Sequence, residues 1–152
     1  MKKVSSIGSL LKKIYRVYST ELLVALQDKG YTDLRPSFLE VLIFICESEA
    51  PTIKEIGVAC GLKKQTMTSH LNELEERGYI ERKVNPHDKR EQNVYLTDYG
   101  QRFKFNLAEA INDIERNYSD RIGDNELDRV ELLLKNFHSK LLIPNSFFDH
   151  LN

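Results

Sequence analysis

Residues 63–70 read Lys-Lys-Gln-Thr-Met-Thr-Ser-His, two cations and five other hydrogen-bonding side chains with no acid among them. Such a set suits a nucleic-acid duplex. Lys63 and Lys64 are candidates for phosphate contacts, which position a protein on DNA. Gln65, Thr68 and Ser69 are candidates for base edges, where an amide can pair with adenine and a threonine methyl can meet a thymine methyl. Thr66 and His70 complete the candidate surface. A second cluster lies at residues 82–90, where Arg82, Lys83, Lys89 and Arg90 face one acid, Asp88. Arg90 is the candidate for a narrow minor groove, whose negative potential favours a guanidinium. Asp88, two residues earlier, is read as the support that orients Arg90 or closes the turn. Glu73, Glu75 and Glu76 fall at the far end of the first cluster. A helix carrying it would therefore lead with its positive end, as docking on phosphates requires.

The surrounding pattern supplies that helix. Ile7, Leu11, Ile14, Tyr18, Leu22 and Ala25 recur at three- and four-residue spacing, so a long helix is expected from Ile7, ending at Gly30. Asp33 to Pro36 is a break. Phe38 to Cys46 is apolar nearly all round and follows Pro36, which suits a first helical turn, so a buried helix is expected there, ending before Pro51. Thr52-Ile53-Lys54-Glu55 has the form of a capping box and opens a short helix through Ala59. Cys60-Gly61-Leu62 is a tight turn. A longer helix follows from about Lys63 to Arg77, with Met67, Leu71 and Leu74 inward and Gly78 as its stop. Tyr79–Asn85 and Gln92–Thr97 read as two strands joined by a polar connector, a β-hairpin. Thr97 is expected to cap a second long helix with Phe103, Leu107 and Ile114 on its stripe. Asp124 is expected to cap a last one, bearing Leu127, Val130, Leu134, Phe137 and Leu141 and stopped by Pro144. The fold class is thus mainly α with a small β-hairpin: a helix-turn-helix followed by a wing, flanked by long helices.

With these elements in place, Leu62 to Arg82 resembles the recognition helix and first wing strand of the MarR family of bacterial transcription regulators. Asn85-Pro86-His87-Asp88-Lys89-Arg90 carries that family's Asp-x-Arg wing signature, and Leu96-Thr97-Asp98-Tyr99-Gly100 its Leu-Thr-x-x-Gly junction. Two departures stand out. Lys63 occupies a position where the family often has a capping serine, and Ser69 one where it often has an arginine. The resemblance implies a homodimer with flanking helices interlocked across a two-fold axis. Residues 1–33 and 101–152 would form the dimerisation region and residues 34–100 the winged helix-turn-helix region. Each subunit would place one helix in the major groove and one wing toward the minor groove of a pseudo-palindromic operator. The expected function is that of a sequence-specific DNA-binding regulator, read as a repressor. The resemblance also implies modulation by a small aromatic effector, for which Tyr15, Tyr18, Phe38 and Phe44 are the pocket candidates. Some relatives sense oxidants, and Cys60, beside Lys63 and Lys64 in sequence, is the candidate thiol for that alternative.

Composition narrows the field further. The 152 residues carry 22 Lys+Arg against 23 Asp+Glu, so the charge asymmetry is local and not global. The longest apolar run is Val41–Cys46, far short of the ~20 residues of a membrane-spanning helix. Lys12-Lys13 interrupts the N-terminal apolar stretch, so no signal peptide is expected and the chain is read as cytoplasmic. Two cysteines make no framework, and the four histidines show no metal-ligand spacing. No phosphate-binding, dinucleotide-binding, zinc-protease or serine-hydrolase motif occurs. An enzyme is therefore not expected, and no cofactor is. A winged helix that binds protein in place of operator DNA is the other alternative, but such a variant would have no use for the basic leading turn and the wing arginine kept here.

Overall fold

The computed structural model describes residues 2–143. The elements are α1 (Lys3–Asp28), α2 (Pro36–Glu47), α3 (Ile53–Cys60), α4 (Lys64–Glu76), β1 (Ile80–Val84), β2 (Gln92–Leu96), α5 (Asp98–Ile122) and α6 (Asp124–Leu141). No helix among the described residues is long and apolar enough to cross a membrane. The chain divides into two compact units, one ending at Asn112 and the other beginning at Asp113.

The first unit holds the core. α2 is its centre, with Phe38, Leu39, Val41, Leu42, Ile45 and Cys46 all buried. That explains why its sequence is apolar nearly all round: α1, α3, α4 and β2 all pack on it. Pro36 sits in the first turn as expected. In α3 the Thr52 hydroxyl accepts from Glu55 N–H at 3.1 Å and donates to the Glu55 carboxylate at 3.2 Å. A full capping box would have that carboxylate on the Thr52 backbone amide. Here the Thr52 backbone is bridged to Asn93 of β2. Gly61 takes the left-handed conformation (φ 63°) that turns the chain from α3 into α4. Met67, Leu71 and Leu74 are the inward face of α4.

The hairpin pairs Ile80 with Leu96 through Val84 with Gln92, antiparallel. Its base is tied to the α2–α3 turn by Val94 N–H to Pro51 O at 2.9 Å and Asn93 Nδ2 to Ala50 O at 2.7 Å. The junction into α5 is tight. Thr97 Oγ1 accepts from Gly100 N–H at 3.0 Å, capping the helix as expected. A Cβ built on Gly100 would lie 2.1 Å from the Tyr79 carbonyl oxygen, so only glycine lets α5 start against β1. Tyr31, Tyr79, Tyr99 and Phe103 then stack as a cluster, Tyr79 on Phe103 at 5.5 Å and Tyr79 on Tyr99 at 4.9 Å.

In the second unit the end of α5 turns at Gly123 (φ 94°) into α6. Asp124 was expected as the cap of this helix; the cap position is Gly123, which makes the reversal no other residue makes as easily. Asp124 is instead the first helical residue, where its charge still favours the helix start, and it accepts a hydrogen bond from the Ser119 hydroxyl.

Two other expectations shift. α1 begins at Lys3 and not Ile7, because nothing in Lys3–Ser6 breaks a helix and the apolar period marks only one face. Of its expected inward residues Leu22 is buried, joined by Leu26, while Ile7, Leu11 and Ile14 are exposed. α6 has no buried residue at all. Pro144 and the tail beyond it lie outside the described residues.

Candidate nucleic-acid interface

α4 presents its polar side to solvent because its apolar side is consumed by the core. Lys63 is the cap residue, extended and making no side-chain cap bond, so its ammonium group is left for outside partners. Lys64, Gln65, Thr66, Thr68 and Ser69 are all exposed. The Thr68 hydroxyl donates to Lys64 O at 2.9 Å, which leaves its methyl and lone pairs outward. With no cap, the first amides of α4 lack side-chain partners and remain donors at the positive helix end.

His70 departs from the expected set. It lies about 60° from Met67 and about 100° from Leu71 around the helix, so it flanks the buried face. Its ring stands edge-on to Phe38 at 5.0 Å, and its Nδ1 is buried without a hydrogen-bond partner. The structure brings His70 to α2 and not to the open face.

In the wing, Asp88 organises the turn. Its Oδ1 accepts from Arg90 N–H at 3.0 Å and from Arg90 Nε at 3.1 Å, and Oδ2 accepts from the guanidinium at 3.3 Å. These bonds hold the Asp88 carboxyl below its ordinary pKa. Asn85 Oδ1 accepts from the amides of His87 at 2.8 Å and Asp88 at 3.1 Å, completing the loop. Arg90 remains 90% exposed, so the pair fixes its direction without hiding it. Lys89 is exposed beside it.

The local charge differs from the sequence count. Arg82 is bound to Glu75, with Nε 2.8 Å from the carboxylate. Lys83 lies 3.3 Å from Glu81 and 5.1 Å from the Tyr95 ring centre. With Arg90 on Asp88, three of the four cations of residues 82–90 therefore answer acids of the protein itself. A groove of about 940 Å³ runs between α3, α4 and the wing, and Lys54, Lys64, Thr68, Arg82, Lys89 and Arg90 line it. Lys54 was missed in the sequence; its place in the first turn of α3, in the same helix-turn-helix as Lys64, was the available signal.

The aromatic residues named as effector-pocket candidates lie on α1 and α2. Tyr15 and Tyr18 form a tilted pair on α1 at 6.5 Å. Phe38 is buried under Arg35, whose guanidinium lies 4.5 Å from the ring centre. Phe44 is half-buried. None of the four lines the groove above or the second cleft, of about 630 Å³, which Tyr31, Tyr99, Arg102, Phe105 and Asn106 border.

Both thiols are pushed toward the protonated form. Burial raises Cys46 to about 12. Burial and then Glu40 raise Cys60. The lysines beside Cys60 in sequence do not offset this, and a peroxide-sensing thiol requires the opposite shift.

Comparison with known proteins agrees with this geometry. A model described as the MarR family matches residues 32–91. The chain is 30% identical over 129 residues to the HTH-type transcriptional regulator SarZ of Staphylococcus aureus (strain MRSA252), covering 85% of this chain and 81% of SarZ. It is 36% identical over 69 residues to the HTH-type transcriptional regulator TtmR of Methylorubrum extorquens (strain PA1), covering 45% of this chain but 35% of TtmR. Among solved structures, Streptococcus pneumoniae FabT in complex with DNA superposes with a TM-score of 0.77 at 21% identity, over 91% of this chain and 97% of that one. A MarR-family transcriptional regulator from Rhodococcus sp. RHA1 gives 0.73 at 23% identity, over 90% and 95%. A winged helix-turn-helix whose polar α4 face and locked wing arginine stand open to solvent, and whose relative over most of its length is such a regulator, belongs to the MarR family of DNA-binding transcriptional regulators.

Proposed function

We propose that this chain acts in the cytoplasm as a homodimeric repressor on a pseudo-palindromic operator. The observation that carries the reading is the open face Lys64–Ser69 on a helix whose other side is locked into the core, with Arg90 held outward by Asp88. α4 enters the major groove by its N-terminal turns. Lys63, Lys64 and Lys89 contact phosphates, Gln65, Thr66, Thr68 and Ser69 face base edges, and Arg90 enters the minor groove. The FabT neighbour was solved bound to DNA, which favours this use of the fold.

A second copy of the chain supports the dimer. Within α6, Leu132 and Leu133 are 61% and 64% exposed, and Leu134, Phe137 and Leu141 are exposed too. Val4, Ile7, Leu10 and Ile14 of α1 are likewise open. A lone protein would not keep so many large apolar side chains in water. Two half-sites then lie about one helical turn, ~10 bp, apart. A small aromatic effector acts by favouring one spacing of the two α4 helices, with Tyr15, Tyr18, Phe38 and Phe44 the residues to probe.

Sedimentation of the protein with a 30-bp duplex tests the reading. Two protomers per duplex and weaker binding by Arg90→Ala are expected. One protomer per duplex, or unchanged affinity in the variant, contradicts it.

A further inference from the structure

The far end of α4 carries Glu73, Glu75 and Glu76, which left bare would repel a phosphate backbone. Two of them are answered within the protein. Arg77 lies 3.4 Å from Glu73, and Arg82, arriving from β1, holds Glu75. The Arg82 side chain is only 20% exposed, so it serves as a strut between wing and helix. Its terminal nitrogen also donates to Asn72 Oδ1 at 2.8 Å.

That last bond fixes an amide. A guanidinium has donors and no acceptor, so Asn72 must turn its carbonyl oxygen to Arg82 and its NH₂ away. Asn72 is exposed and lies three residues beyond Ser69 and seven beyond Gln65, on the same side of α4. We propose that Asn72 is a further specificity-determining residue that reads hydrogen-bond acceptors only, and that Arg82 is the positioning residue that makes it so. This rests on the reading of α4 as the helix in the major groove.

The consequence is a choice between purines. An asparagine free to rotate pairs with adenine by donating to N7 and accepting from the N6 amino group. With its oxygen held toward Arg82, Asn72 turns its NH₂ donor edge away from the wing strut, and guanine presents two acceptors to it, N7 and O6. The base pair opposite Asn72 is therefore G·C in each half-site. Removing the Arg82 donors frees the oxygen and moves the preference toward A·T. Arg82 itself, spent on Glu75 and Asn72, adds no phosphate contact.

Selection of bound sequences from a random duplex pool by full-length wild type, Asn72→Ala and Arg82→Met, with salt titrations of each, tests this. Asn72→Ala keeps an exposed helix position and should lose discrimination at one base pair per half-site by roughly tenfold. Arg82→Met should exchange G·C for A·T at that same pair and leave the salt slope unchanged. A motif intact in Asn72→Ala overturns the proposal. So does an Arg82→Met variant with the motif intact and a salt slope reduced by about one, the signature of a lost phosphate contact. If wild type enriches no motif at all, the groove assignment of α4 falls with it; a wild-type motif that neither variant alters overturns this inference alone.

Discussion

Gly100 is the one glycine where an added Cβ would meet a backbone atom closer than 3.0 Å, so Gly100→Ala should be costly. The new Cβ would sit 2.1 Å from the Tyr79 carbonyl oxygen and 3.1 Å from a Leu96 methyl. The carbonyl cannot retreat freely. It accepts from Thr97 N–H at 3.1 Å and from the Thr97 hydroxyl at 3.2 Å. Tyr79 is also fully buried against Tyr99 and Phe103. Separation to ordinary contact needs a shift near 1 Å, and overpacking of this kind costs about 3 kcal/mol. Alanine returns roughly 1 kcal/mol through helix propensity and a less free unfolded chain. The net loss is about 2 kcal/mol, a substantial part of a typical ~5–15 kcal/mol stability. Urea unfolding at fixed protein concentration measures it, with the midpoint falling by about 1 M for a slope near 2 kcal/mol/M. Gly8→Ala is the control: nothing lies within 4 Å of the added Cβ in α1, so that variant should gain up to about 1 kcal/mol. A Gly100→Ala protein as stable as wild type, beside a Gly8→Ala that behaves as stated, would refute the argument that this junction requires glycine.

Other outcomes follow from the same contacts. Arg90→Ala should weaken operator binding by about 1–3 kcal/mol, and in an NMR titration the Asp88 carboxyl should move upward but stay below its ordinary range, because the residue 90 amide still donates to it; an unmoved midpoint would deny that the Arg90 side chain holds it low. The folded pKa of Asp88 is depressed, so its contribution to stability is present above the unfolded value near 4 and is lost as pH falls through the folded one. Cys46, raised to about 12, should resist thiol reagents at pH 7 in the native protein, and Cys60 should react more slowly than a free thiol; rapid labelling of either would contradict its surroundings. The raised Cys46 contributes stability that is full below the unfolded thiol pKa near 9 and declines as pH climbs from there toward 12. Leu133→Asp on α6 should yield monomers in light scattering, and a persisting dimer would place the interface elsewhere.

Much of the fold was legible because its periodicities are strong. α2 is apolar nearly all round and proved to be the centre of the core. Thr52, Gly61, Gly78 and Thr97 marked element ends through local chemistry that needs no tertiary context. α1 and α6 were legible as helices but not as surfaces: their stripes read as inward, yet Ile7, Ile14 and Leu134 are exposed. Periodicity marks an apolar face without saying what covers it. Asp124 was misread because an aspartate near a helix start suits both the cap and the first turn, and the neighbouring glycine decided between them. At the candidate interface, residue type and spacing pointed to Lys64, Gln65 and Arg90, which the structure leaves exposed. They did not show that His70 turns to Phe38 or that Arg82 is spent on Glu75, because both depend on contacts across elements distant in sequence.

In the proposed function, the α4 faces and wings of two protomers read DNA by sequence. Footprinting of wild type on its selected duplex, at two salt concentrations, addresses this most directly. Two protected half-sites related by a dyad about 10 bp apart are expected, with affinity falling steeply as salt rises and the protected bases unchanged. Uniform, salt-sensitive protection with no dyad and no preferred sequence would contradict that reading.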